Sequence, residues 1–149
     1  MNRTSAKALS CGIFLIWCMC SGTRPSNLGV QGGVLAPCPQ SPNCVSTFAS
    51  DKIHAIKPLS YTGTVGEEKQ KLIRVINALP RTRIISDAGN YLDVEFTSFL
   101  WRFVDDVEFV LDDTAKTIQF RSASRLGSGD MGVNRKRMET IRAKLDSAK

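Results

Sequence analysis

The chain has 149 residues, with 20 Lys+Arg against 14 Asp+Glu, a net charge of +6 and 42% hydrophobic residues. That length suits one domain, and the basic residues are interspersed rather than gathered into the stripe typical of nucleic-acid binders, so nucleic acid is not an expected partner. The single histidine, His54, sits between Lys52 and Lys57 without a motif; no catalytic residue, metal-ligand set or cofactor is expected.

Arg3 and Lys7 form a short positive start, and Ala8 to Met19 is a mostly apolar run. Spanning a hydrocarbon core as a helix takes about 20 residues, so this shorter run reads as a secretory signal peptide over residues 1–19 rather than a membrane helix. Cys20 follows directly, ahead of Ser21-Gly22-Thr23. A cysteine there suggests a bacterial lipoprotein, cut before Cys20 and lipidated on it, although Met19 stands where Gly, Ala or Ser is favoured. The expected location is the periplasmic side of a bacterial envelope membrane, held through the lipid. Ser21 to Ala36 carries four glycines, a proline and one charge, Arg24. It lacks helical periodicity, so residues 20–36 read as the lipidated cysteine and a flexible tether, and residues 37–149 as a single globular domain.

Cys11 and Cys18 leave with the signal peptide, so Cys38 and Cys44 remain as an even pair in an oxidising compartment. Pro37, Pro39, Pro42 and Asn43 stiffen the segment as an irregular loop. A thioredoxin-like motif needs two residues between the cysteines and a metal site needs further ligands. A structural disulfide is expected instead, worth roughly 2–3 kcal/mol for so short a loop.

Thr64 and Glu67 match a capping box. Leu72, Ile73, Ile76 and Leu79 then recur at helical spacing, and Pro80 ends the helix. Strand signals follow. Ile84 and Ile85 lead to a turn at Ala88-Gly89-Asn90, after which Leu92, Val94 and Phe96 alternate with Asp93, Glu95 and Thr97. Val107, Phe109 and Leu111 alternate against Asp106, Glu108 and Asp112, and a turn over Asp113 to Lys116 precedes a strand with Ile118 and Phe120 inward. The last element is a helix with Asp130 as N-cap, an apolar stripe of Met138, Ile141 and Leu145, and a basic face. The order predicts an α+β fold: a two-layer domain with an antiparallel four-stranded meander sheet and two amphipathic helices on one face.

Three features invite a functional reading. Gly127-Ser128-Gly129-Asp130-Met131-Gly132 spells a dinucleotide fingerprint, but no second parallel strand follows and Asp130 would oppose a pyrophosphate. A weaker anion or partner site could form from Arg121, Arg125, Asp130, Asn134, Arg135 and Arg137 around this turn; internal pairing of the arginines with Asp105, Asp106 or Glu108 is the preferred alternative. Asp105 and Asp106 point to opposite faces if extended and make a poor acid–base dyad. Finally, Phe99, Trp101 and Phe103 make the strand apolar on both faces. Coverage by the N-terminal segment or a bulge is the preferred explanation; an exposed patch for a partner, lipid or apolar ligand is the other.

Four stretches together resemble the domain of unknown function 1499 family: Gly22-Thr23-Arg24-Pro25, Cys38 to Ser46, Phe103 to Phe109, and Arg121 to Gly127 running into Asp130 to Arg137. The resemblance covers nearly all of the chain after the signal peptide. It implies a largely bacterial family, often of predicted lipoproteins with a similar Cys-Ser-Gly-Thr junction at Cys20, and no established activity. The expected role is a non-enzymatic envelope lipoprotein that binds an envelope protein or small ligand. The alternative is an enzyme or small-anion-binding protein using Arg121 to Arg137.

Overall fold

The computed structural model describes residues 21–148, so the expected signal peptide and Cys20 lie outside the described residues. The first described elements are two short strands, β1 (Cys44–Ser46) and β2 (Leu59–Ser60), then α1 (Val65–Asn77). Four longer strands follow: β3 (Thr82–Ala88), β4 (Tyr91–Thr97), β5 (Val104–Asp112) and β6 (Thr117–Ser124). Helix α2 (Val133–Ser147) closes the fold. The sheet is antiparallel and open, in the order β1-β6-β5-β4-β3, with β2 also paired to β6.

The class is α+β, as the sequence predicts, but the described sheet has six strands rather than four. The two additions both lie along β6: β1 pairs with Arg121 to Ala123, and β2 with Thr117 and Ile118. Strands of three and two residues are too short to show alternation, which is why they escape a periodicity reading.

The capping box of α1 forms as expected, with Glu67 N donating to Thr64 Oγ1 at 3.2 Å and Thr64 N donating to Glu67 Oε2 at 3.0 Å. Leu72, Val75 and Ile76 of α1 join Met138, Ile141 and Leu145 of α2 in one core with Leu92, Val94 and Phe96 of β4, Val107, Phe109 and Leu111 of β5, and Ile118 and Phe120 of β6. Each such side chain contributes roughly 1.5–3 kcal/mol on burial. The start of α2 differs from expectation. Its N-cap residue is Gly132, whose φ of 78° suits glycine, and Asp130 lies two residues upstream. Asp130 still serves the helix start, accepting from Gly132 N at 2.9 Å and Asn134 N at 2.8 Å.

The described part of the expected tether is laid against the domain. Leu35 is buried, Arg24 pairs with Asp93, and Gly29 N donates to Glu108 Oε1 at 2.6 Å. At Gly22, with φ of +65°, a Cβ would come within 2.9 Å of Leu126 Cγ and 3.0 Å of Arg125 Cβ. Residues 21–36 are therefore better described as a strap. Their few apolar residues and single charge give no local sign of this, because the partners that hold the strap to the domain, Asp93 and Glu108 among them, lie far away in sequence.

Candidate functional site

The alternation that sends Val94 and Phe109 into the core sends Asp93, Glu95, Asp106 and Glu108 to the opposite face of the sheet. The register places Asp93 opposite Glu108, and Glu95 opposite Asp106. Like charges directly opposed are destabilising, and all four residues are buried. Four arginines offset the conflict, closely at Glu95 and Asp106 and only in part at Asp93 and Glu108. Arg125 donates to Asp106 through Nε at 2.8 Å and Nη2 at 2.6 Å, and also to Glu95. Arg83 reaches Glu95 Oε2 at 2.8 Å. Arg24 pairs with Asp93 and lies 3.6 Å from Asp106, and Arg121 lies 3.7 Å from Glu108 on the neighbouring strand.

The balance differs between sites. Burial pushes the Glu95 carboxyl up, but hydrogen bonds from Arg125 and Arg83 outweigh it and hold it below the usual carboxylate range. For Asp93 and Glu108 burial prevails and the carboxyls are raised. Among the described residues, Glu108 Oε2 and Nε and Nη1 of Arg121 find no hydrogen-bond partner. The same burial lowers the Arg121 guanidinium.

A second polar cluster joins α2 to the other face of the sheet. Buried Asn134 accepts from Ser122 Oγ at 2.6 Å and from Arg137 Nη1 at 2.6 Å. Its amide donates to Asn43 O at 3.1 Å, Ser124 Oγ at 3.0 Å and Asp130 Oδ2 at 2.8 Å. Arg137 also pairs with Asp105 and stacks 4.7 Å above the Phe96 ring. Asn134 thus fastens the β1 entry, the end of β6 and the glycine turn to α2.

These contacts separate the six residues that the sequence groups around the glycine turn. Arg121 and Arg125 lie on the carboxylate face; Asp130, Asn134 and Arg137 lie in the α2 cluster. Arg135 stands apart, donating to Ile53 O at 2.9 Å. Period-2 alternation along β6 and the separate phase of α2 account for the split, and the arginines do not converge on one anion-sized position. Asp105 and Asp106 face opposite sides, towards Arg137 and Arg125 respectively. His54 is buried, with Nδ1 2.9 Å from Asp51 Oδ1 and Nε2 3.2 Å from Ser41 O. Cys38 and Cys44 form a disulfide with a Cα separation of 5.7 Å. No group of three or more His, Cys, Asp or Glu suited to a metal ion occurs among the described residues.

Phe99, Trp101 and Phe103 are not in a strand and the strap does not cover them. β4 ends at Thr97 and β5 begins at Val104. The intervening loop closes through Ser98 N donating to Phe103 O at 2.8 Å and Phe103 N donating to Ser98 Oγ at 2.9 Å. Phe99, Leu100 and Trp101 are 77%, 71% and 64% exposed, and Met131 on the glycine turn is fully so. The two loops face each other across an open cleft of about 310 Å³, lined by Leu100, Trp101, Phe103, Leu126, Met131 and Val133. Sequence reasoning named the aromatics but missed Leu100 as exposed, as well as Leu126, Met131 and Val133, which only the fold brings alongside. An apolar run bounded by Ser98 and Arg102 is its only local signal.

A six-stranded antiparallel sheet with one arginine-neutralised face and an apolar tip defines a small α+β domain whose buried charges serve the fold. The family model described as "Protein of unknown function (DUF1499)" matches residues 34–145, and the chain belongs to that family. Among curated proteins, no match to the chain is found.

Proposed function

We propose that the protein is an exported envelope lipoprotein, anchored through Cys20, whose two-layer domain is a non-enzymatic binding module. Its contact surface is the apolar tip formed by the loops Ser98–Phe103 and Leu126–Val133. The observation that carries this reading is the cleft in which the mostly exposed Leu100 and Trp101 and the fully exposed Met131 come together, with exposed Phe99 next to Leu100 in the chain. Contiguous exposed apolar surface on a small domain marks interaction sites. The rival reading, an anion site or enzyme built on Arg121 to Arg137, loses support because Arg125 and Arg137 are engaged with Asp106 and Asp105 and Arg121 is buried 3.7 Å from Glu108.

Cys20→Ala should lose palmitate labelling and shift part of the protein from the membrane pellet to the soluble fraction, since acyl chains contribute about 0.8 kcal/mol per buried methylene. A photo-crosslinking residue at Leu100 or Met131 in cells should give adducts, and one at Gln70 on the exposed side of α1 should not. Adducts from Gln70 with none from the tip would overturn the assignment of the surface.

A further inference from the structure

The described chain begins at the tip. Gly22 packs against Leu126, close enough that a Cβ there would meet Leu126 Cγ at 2.9 Å, and Leu126 lines the same cleft as Leu100, Trp101 and Met131. Only two peptide steps of about 3.8 Å separate position 20 from Gly22. A lipid on Cys20 would therefore enter the bilayer beside these side chains, with no length of free tether to hold the domain away. We propose that the apolar tip itself is seated in the bilayer, with Trp101 and its neighbours at the headgroup–acyl boundary, so that the domain is fixed to the membrane at two adjacent points. This inference rests on the lipoprotein reading and names the occupant of its contact surface.

The chemistry of the tip fits a lipid surface. Phe, Leu and Met supply apolar area, and a tryptophan is the side chain favoured at the interface. Arg81, placed over the Phe99 ring with its guanidinium 5.4 Å from the centroid, and Arg102 within the loop stand where anionic headgroups would lie. Of the two carboxylates that also line the cleft, Asp105 is paired with Arg137; Asp130 keeps its charge, turned towards the helix start by hydrogen bonds from Gly132 N and Asn134 N, and is outnumbered at the tip by Arg81 and Arg102. One anchored chain gives only marginal membrane binding in general, and a second attachment makes it firm. The β3–β4 turn at the other end of β4 is polar, and there Lys69 Nζ donates to Gly89 O at 2.6 Å.

The test uses Trp101. The sequence has two tryptophans, Trp17 and Trp101, so Trp17→Phe leaves Trp101 as the sole reporter whether or not the signal peptide is removed. The lipidated protein is purified from membranes and reconstituted into phosphatidylethanolamine–phosphatidylglycerol vesicles with and without brominated acyl chains. Trp101 emission should shift to the blue and be quenched by bromine. A reporter moved to α1, by Trp101→Phe with Gln70→Trp, should remain solvent-like and unquenched. In the Cys20→Ala background, Leu100→Ser should lower vesicle affinity about tenfold, as expected for losing one buried large side chain. Solvent-like Trp101 in palmitate-labelled, vesicle-bound protein would overturn the insertion while leaving the lipoprotein reading intact. Blue-shifted but unquenched Trp101 would also overturn it and would assign the tip to a second copy of the chain. Absence of palmitate on Cys20 would remove both readings.

Discussion

Replacing Arg125 by alanine should destabilise the domain by about 3 kcal/mol, and the structure gives the reasons for that size. The guanidinium is 6% exposed and supplies both hydrogen bonds of a fork to Asp106, which is 1% exposed, as well as a contact to Glu95. Removing one partner of a buried pair generally costs about 3–5 kcal/mol because the other charge is stranded. Two neighbours moderate the loss. Glu95 keeps Arg83 at 2.8 Å, and Asp106 keeps Arg24 at 3.6 Å, though Arg24 is 36% exposed and its help is screened by water. That favours the lower end of the range. For a domain of this size about 3 kcal/mol corresponds to a fall of roughly 10–15 °C in Tm, measurable by circular dichroism and urea titration. The mechanism has its own check: adding Asp106→Asn to Arg125→Ala should recover part of the stability, because the stranded charge is gone. A fall in Tm of only a degree or two, or a double variant no better than the single, would refute the reasoning.

Removing the Cys38–Cys44 bond by Cys38→Ala with Cys44→Ala should cost about 2–3 kcal/mol and leave the domain folded, since the closed loop is short; free thiols in the exported protein would contradict the assignment. Glu95→Gln and Glu108→Gln should respond oppositely to pH. The Glu95 carboxyl is held low, so its contribution is present above its unfolded-state value of about 4.3 and is lost as pH falls through the lower folded value. The stability gap between the wild type and Glu95→Gln should therefore narrow on acidification. Burial raises Glu108, so its favourable contribution is complete below the unfolded value and is lost as pH rises through the folded one. The gap for Glu108→Gln should accordingly shift in favour of the variant towards neutral pH. Parallel pH profiles from urea unfolding would count against the contrast.

The sequence makes α1 legible because its start is a local device, Thr64 with Glu67, and its stripe repeats at a helical period. The strands β4 to β6 show equally well through period-2 alternation, and β3 only through Ile84-Ile85 and the turn after it, since its register shifts between Ile84 and Ser86; the alternation along β6 already implies that Arg121 and Arg125 share a face which α2 residues do not. What escapes is long-range. Arg24 lies 69 residues from its partner Asp93, and no local pattern marks a strap that neutralises a buried carboxylate. At the tip, an apolar stretch continuous with β4 mimics more strand. The positive φ of 57° at Arg102 and the Ser98–Phe103 bonds turn it into a loop instead. Leu126 and Met131 join it only because β6 ends beside the β4–β5 connection.

The central claim, that the apolar tip is the covered working surface, can be read from thiol accessibility in cells. After the expected processing, the only cysteines are lipidated Cys20 and the Cys38–Cys44 disulfide, so one introduced cysteine is a clean reporter. Leu100→Cys and Gln70→Cys proteins are treated with an impermeant maleimide in permeabilised cells, and labelling is normalised to the total after denaturation in SDS. The account predicts that Gln70→Cys labels fully while Leu100→Cys is protected until denaturation. Equal labelling of the two positions before denaturation would contradict it.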